Sequence, residues 1–169
     1  TKTFFSIVFA ILSVVFGLEF AFIPIQFTII SAITIGIPSF FLTFESNKEK
    51  VSTHFMRDIL TNAAIGGGIL VASVLLTNFF ITVPGQVKFI CFLLALVNGL
   101  CLVAKISIPF NRYKLALLTL LSLAALVGVF ANTFILQGAF VPLETSQVVY
   151  VAILAVVIGG LHYLTRRKN

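Results

Sequence analysis

Long apolar stretches separated by short polar breaks divide the chain into six segments. The predicted spans cover residues 4–18, 24–44, 59–83, 87–104, 115–135 and 148–164. About 20 apolar residues are needed to cross a bilayer as a helix, and five of the six stretches approach or exceed that length. The first is shorter, so it either tilts and uses flanking residues or continues upstream. The pattern predicts an all-α polytopic membrane protein, a six-helix bundle in a single transmembrane domain covering residues 1–169.

The second span carries a helix breaker in its interior. Pro38 has no N–H, and its ring crowds the carbonyl four residues back, which belongs to Thr34. Gly36 gives the backbone freedom to unwind. Freed carbonyls at membrane depth are tolerated inside protein or along a water-filled cavity, and discontinuous helices of this kind form ion sites in transporters. The break is either a packing kink or part of an ion pathway, and Ser31 and Thr34 on one helical face favour the pathway.

Four further polar residues of the predicted spans bear on function. Small or hydroxyl-bearing residues recur every three or four positions in the first span, which places Ser6 and Ser13 on one face as a hydroxyl-lined wall or a helix-packing seam. Asn98 in the fourth span needs a partner at that depth, either an ion or another helix. His162 lies close to the end of the last span, so we expect it at the membrane interface rather than in a proton relay or metal site.

The charge distribution agrees with a membrane protein. Hydrophobic residues make up 60% of the chain and charged residues 9%, against about 25% charged in soluble domains. The net charge is +6, but with six crossings ten of the eleven Lys and Arg residues fall on one side. This bias predicts cytoplasmic amino and carboxy termini in the cell membrane and argues against a nucleic-acid partner. Because the chain opens on Thr1 rather than Met, we expect it to be a fragment of a longer protein.

Three motifs around the second span resemble a known family. Ala-Phe-Ile-Pro-Ile-Gln at 21–26, Thr-Ile-Gly-Ile-Pro at 34–38 and Phe-Glu-Ser-Asn at 44–47 are similar to the sixth membrane helix of cation-transporting P-type ATPases. The resemblance extends over the whole chain as the fifth to tenth membrane helices. It is nearest to a bacterial, calcium-pump-like branch. It implies the membrane part of an ATP-driven pump for calcium or another cation.

The resemblance also implies cation-binding candidates, residue by residue. Ser31 falls where the calcium pumps place a ligand Asn, Thr34 matches their Thr, and Ile35 replaces their ligand Asp. Ser6 and Asn98 fall where the fifth and eighth helices of the family carry a Glu. No carboxylate therefore occupies any of the matched positions. Calcium takes six to eight oxygen ligands, usually including carboxylates, so we expect lower affinity or altered selectivity.

The catalytic parts of such a pump are not found in this sequence. It has no Asp-Lys-Thr-Gly phosphorylation motif, so we predict no catalytic residue and no cofactor here; ATP and Mg²⁺ are implied for the parent pump. The implied partners are the lipid bilayer, the transported cation, the amino-terminal membrane helices, and the actuator, phosphorylation and nucleotide-binding domains. The alternatives are a self-contained six-helix channel or secondary transporter, and a structural membrane module.

Overall fold

A computed structural model describes residues 6–8, 10–12, 14, 22, 24–43, 55–81, 83–107, 112–135 and 145–166. Those at 6–8, 10–12 and 14 are helical and belong to the first predicted span. The second span consists of helix α1 (Pro24–Ser31), a π-helical turn (Ala32–Gly36) and helix α2 (Ile37–Thr43). Across the described ranges every regular element is helical, as the apolar pattern predicts.

Four further helices are long and apolar enough to cross a membrane. They are α3 (Phe55–Phe80), α4 (Pro84–Ile106), α5 (Arg112–Ile135) and α6 (Thr145–Arg166). They overlap the third to sixth predicted spans, with ends that differ by up to four residues. Pro84 begins α4 at its first position, where a missing N–H costs nothing because that group has no intrahelical partner.

Helix α4 is the centre of the bundle. It contacts α1, the π-turn, α3, α5 and α6. Of the most apolar part of α4, 61% is buried within the protein, against 11% of the corresponding part of α6. One face of α4 packs with α3 and α6 through residues such as Ile90 and Leu94. Another packs with the π-turn and α5 through Phe92 and Leu96. The face of α4 on which a residue lies therefore decides whether it contacts α3 and α6 or the π-turn and α5.

The outer surfaces of these helices are apolar. Phe79, Phe130 and Val156 are each at least three-quarters exposed on α3, α5 and α6. Large exposed apolar faces would be a liability in water, but they suit contact with acyl chains. The burial pattern agrees with a protein whose solvent is the bilayer.

The predicted break takes the form of a π-turn rather than an unwound segment. The Ile37 N–H donates to the carbonyl of Ala32, five residues back, so the helix widens by one residue and then continues. Pro38 directly follows the π-turn as the second residue of α2, so its missing N–H leaves one main-chain hydrogen bond unmade at the widened position. The structure thus corrects the expected form of the break: widening the turn accommodates the proline without unwinding the chain.

Candidate functional site

The hydroxyl groups of Ser31 and Thr34 lie just before the widened turn and at its centre. Ser31 Oγ donates to the Phe27 carbonyl at 2.6 Å, and Thr34 Oγ1 donates to the Ile30 carbonyl at 2.7 Å. Since these bonds direct each hydroxyl proton back along the helix, it is the oxygen lone pairs that point away from those carbonyls. Both side chains are half-buried. The turn therefore offers oxygen acceptors, the ligand type that hard cations prefer.

The π-turn also affects the carbonyls before Pro38. In an α-helical register, residue 38 would donate to Thr34, and in a π register it would donate to Ile33. Proline can donate to neither. The same short stretch thus combines two hydroxyl oxygens with a carbonyl that receives no N–H from Pro38.

The turn is seated on glycines of the two neighbouring helices. A Cβ built on Gly99 of α4 would overlap Thr34 Cγ2 and lie 2.9 Å from Thr34 Cβ. A Cβ on Gly128 of α5 would lie 2.9 Å from Ile33 Cδ1. Thr34 therefore approaches α4 more closely than any residue with a side chain at position 99 would permit. At the end of α2, Tyr113 Oη donates to the Phe41 carbonyl at 2.8 Å and links α2 to α5.

The other face of the turn is open within the described part of the chain. Ala32 and Gly36 are exposed, and Ile35 is 50% exposed. Ile35 is the residue at the position where the resemblance implies an acid. The structure thus places an apolar side chain on the open face, with the oxygen-bearing Thr34 turned towards α4.

Asn98 lies on α4 beside Gly99 but belongs to a different set of contacts. Its side chain is 2% exposed. Nδ2 donates to the Gly66 carbonyl of α3 at 3.1 Å, and Oδ1 lies 2.9 Å from His162 Nε2 of α6. Because the amide nitrogen is the donor to Gly66, Oδ1 is the acceptor and His162 Nε2 carries the proton. The amide thus joins three helices, and both of its polar groups have protein partners.

His162 is buried inside the bundle, 4% exposed. Its position at the depth of the membrane interface stays a prediction. The helical register turns it towards α4 rather than outward. One turn further on, Thr165 accepts a hydrogen bond from Lys105 Nζ at 3.3 Å. The single hydroxyl proton of Thr165 is in turn shared between the Leu161 and His162 carbonyls. Asn98, His162, Gly66, Lys105 and Thr165 form a connected polar group, called here the α3–α4–α6 network.

The remaining sequence candidates lie in the first span. Ser6 is helical and half-buried. Ser13 lies outside the described residues. The neighbouring Val8 and Leu12 pack on the apolar cluster shared by α3, α4 and α6. No group of three or more His, Cys, Asp or Glu side chains that could hold a metal occurs within the described ranges.

The sequence singled out Ser31, Thr34 and Asn98 as cation-binding candidates but did not predict which residues surround them. The structure sets Thr34 against Gly99, one residue along from Asn98, while the Asn98 amide turns to α3 and α6. A glycine in an apolar helix indicates close packing in general. Nothing in the sequence tells which helix approaches Gly99, or that His162 is the partner of Asn98.

Comparison with known proteins yields cation pumps. The chain is 29% identical over 150 residues to the calcium-transporting ATPase CtpE of Mycolicibacterium smegmatis, which covers 78% of the chain and 19% of the relative. It is 29% identical over 129 residues to the probable cation-transporting ATPase exp7 of Streptococcus pneumoniae, covering 69% of the chain and 17% of the relative. CtpE of Mycobacterium bovis is 28% identical over 149 residues, covering 75% and 18%.

No family model and no solved structure matches the chain. The chain spans less than a fifth of the length of these curated relatives. Their names confirm the resemblance to cation-transporting P-type ATPases that the motifs at 21–47 predicted. The chain thus matches only a part of each of these longer ATPases.

Proposed function

We propose that this chain is the carboxy-terminal transmembrane part of an ATP-driven cation pump and supplies part of its ion-binding site and path. The observation that carries the proposal is the π-turn at Ala32–Gly36, at which the half-buried Ser31 and Thr34 present their hydroxyl oxygens. Similarity to three cation-transporting ATPases supports it. Both termini face the cytoplasm, as the distribution of Lys and Arg predicts.

Calcium is the cation we propose, because two of the relatives are named calcium-transporting ATPases. Calcium accepts hydroxyl and carbonyl oxygens as ligands, and the π-turn offers both. Neither Ser31, Thr34 nor Asn98 brings a negative charge. The charge that balances the ion must therefore come from the rest of the pump, in particular from its other membrane helices.

In the whole pump, ATP hydrolysis would take place in the cytoplasmic domains, with Mg²⁺, outside this chain. The contribution of this chain is then to bind, desolvate and release the ion. A π-turn suits that task because it is a local departure from α-helical hydrogen bonding, and small changes at such a turn alter which carbonyls are free. Ser6 and Ser13 would extend the oxygen-lined path from the first span.

The proposal is tested on the full-length pump with Thr34→Val and Ser31→Ala. Valine keeps the shape of threonine and removes only the oxygen. We expect the calcium concentration for half-maximal ATP hydrolysis to rise about tenfold for Thr34→Val, which corresponds to about 1.4 kcal/mol of lost binding. Thr43→Val is the matched control, because Thr43 makes the same 2.7 Å bond to the carbonyl four residues back but lies exposed outside the turn. Ser122→Ala on the exposed face of α5 controls for Ser31→Ala.

Unchanged calcium dependence in both Thr34→Val and Ser31→Ala would contradict the proposal and favour a structural membrane module. Ion flux through liposomes that contain only this chain, without ATP, would instead favour a channel or secondary transporter. We expect no such flux.

A further inference from the structure

Gly99 is the point where α4 touches the π-turn most closely. The hydrogen that it carries in place of a side chain faces Thr34, and a Cβ there would overlap Thr34 Cγ2. Contacts under about 3 Å between carbon atoms are strongly repulsive, since the favourable separation is about 3.5–4.0 Å. Any larger residue at position 99 would therefore move Thr34, α4 or both.

On the side of the π-turn, the contact between Gly99 and Thr34 leaves little room for the threonine side chain to move. Threonine is branched at Cβ and has few rotamers in a helix, and Thr34 Cβ itself would lie 2.9 Å from an added Cβ on Gly99. Gly128 differs, because the nearest atom to its added Cβ is the terminal Cδ1 of Ile33, at 2.9 Å, which can rotate away. Of the two glycine contacts with the π-turn, the one at Gly99 constrains the position of the Thr34 oxygen.

The contact is also fixed on the side of α4. Asn98, the preceding residue, is hydrogen-bonded to Gly66 on α3 and to His162 on α6. Two hydrogen bonds from one amide to two helices restrict rotation of α4 about its axis. Gly99 follows Asn98 by about 100° around the helix. The restricted rotation of α4 therefore keeps the side of Gly99 that lacks a Cβ towards Thr34.

We propose that Gly99 is a specificity-determining residue of the cation site: its missing side chain sets how deeply Thr34 seats against α4 and hence where the Thr34 oxygen lies. The inference rests on the proposed function. Cations of different size need their oxygens at different distances, about 2.0–2.1 Å for magnesium and 2.3–2.6 Å for calcium. Displacing Thr34 by a methyl group would therefore weaken calcium binding and reduce discrimination between calcium and magnesium.

The experiment uses the full-length pump with Gly99→Ala, Thr34→Ser and the double variant Gly99→Ala/Thr34→Ser. Serine keeps the hydroxyl and removes Cγ2, the atom nearest to the added methyl group. We expect Gly99→Ala to raise the calcium concentration for half-maximal ATP hydrolysis about tenfold in the wild-type background, but only about threefold when it is added to Thr34→Ser. The relief is partial because serine keeps Cβ, which would lie 2.9 Å from the added methyl group. Gly68→Ala is the matched control, since an added Cβ on this α3 glycine meets nothing within 4 Å.

A Gly99→Ala effect as large in the Thr34→Ser background as in wild type, or a Gly99→Ala protein with wild-type calcium dependence and selectivity, would overturn the inference. If Thr34→Val weakens calcium binding but Gly99→Ala does not, the proposed function stands and the role of Gly99 falls. If neither variant alters calcium dependence, both fail. A drop in the unfolding temperature for Gly99→Ala that Thr34→Ser restores, with no change in calcium affinity, would reduce the contact to packing and also overturn the inference.

Discussion

The π-turn and the α3–α4–α6 network lie on adjacent faces of α4 and use their polar atoms in opposite ways. At the π-turn, the Ser31 and Thr34 hydroxyl protons go to carbonyls of their own helix, so each hydroxyl presents acceptor lone pairs. In the network, Asn98 uses its donor on Gly66 and its acceptor on His162. Polar residues at membrane depth can thus form a ligand surface or hold helices together, and hydrogen-bond geometry separates the two roles where residue type does not.

The largest effect that sharpens this comparison is expected for Asn98→Ala. It leaves the Nε2–H of His162 buried without its acceptor and removes the donor to the Gly66 carbonyl. An unpaired buried polar group costs about 1–3 kcal/mol, so we expect the free energy of unfolding to fall by that amount. Denaturant unfolding of the purified pump in detergent measures it.

The exposed Ser122→Ala serves as the control for Asn98→Ala, with a change within about 0.5 kcal/mol. An Asn98→Ala protein that is as stable as wild type but has lost its calcium response would contradict the comparison, because Asn98 would then act on the ion rather than on the helices.

A smaller effect with two opposite parts is expected for Pro38→Ala. Alanine restores an N–H and removes the ring that crowds the preceding turn, which favours return of residues 32–36 to an α-helical register. We expect a higher unfolding temperature together with weaker calcium affinity, measured on the same preparation. Unchanged affinity in a stabilised variant would show that the widened turn has no part in ion binding.

The smallest effect is expected for His162→Gln. The glutamine amide can donate to Asn98 Oδ1 in place of Nε2–H, and the Nδ1 atom that it lacks has no hydrogen-bond partner among the described residues. We expect a loss of unfolding free energy below about 1 kcal/mol. His162→Leu, which cannot donate, should lose more. Equal losses for the two variants would mean that packing of the ring, rather than its hydrogen bond, stabilises α6.

The sequence predicted the long spans because apolar runs of sufficient length have one stable arrangement in a bilayer. It also predicted an interruption near Pro38, since proline lacks an N–H in any conformation. It did not predict whether the helix would unwind or widen, because both outcomes satisfy that constraint. The π-turn packs against Gly99 and Gly128, which belong to other helices, so its form depends on contacts that are distant in sequence.

The partners of Asn98 could not be predicted for a similar reason. Gly66 and His162 lie 32 and 64 residues away in sequence, and only the packing of α3 and α6 on α4 brings them together. Residue type indicated that Asn98 needs a partner. It did not distinguish an ion from a second helix. For His162, distance from the end of the span suggested depth but gave no information on which way the side chain points.

The most direct test of the central claim is a density map of the full-length pump with its transported cation bound. We predict cation density at calcium–oxygen distance, about 2.3–2.6 Å, from Thr34 Oγ1 in the π-turn, with Asn98 still bonded to Gly66 and His162. Density coordinated by the Asn98 amide, with none at the π-turn, would contradict the account.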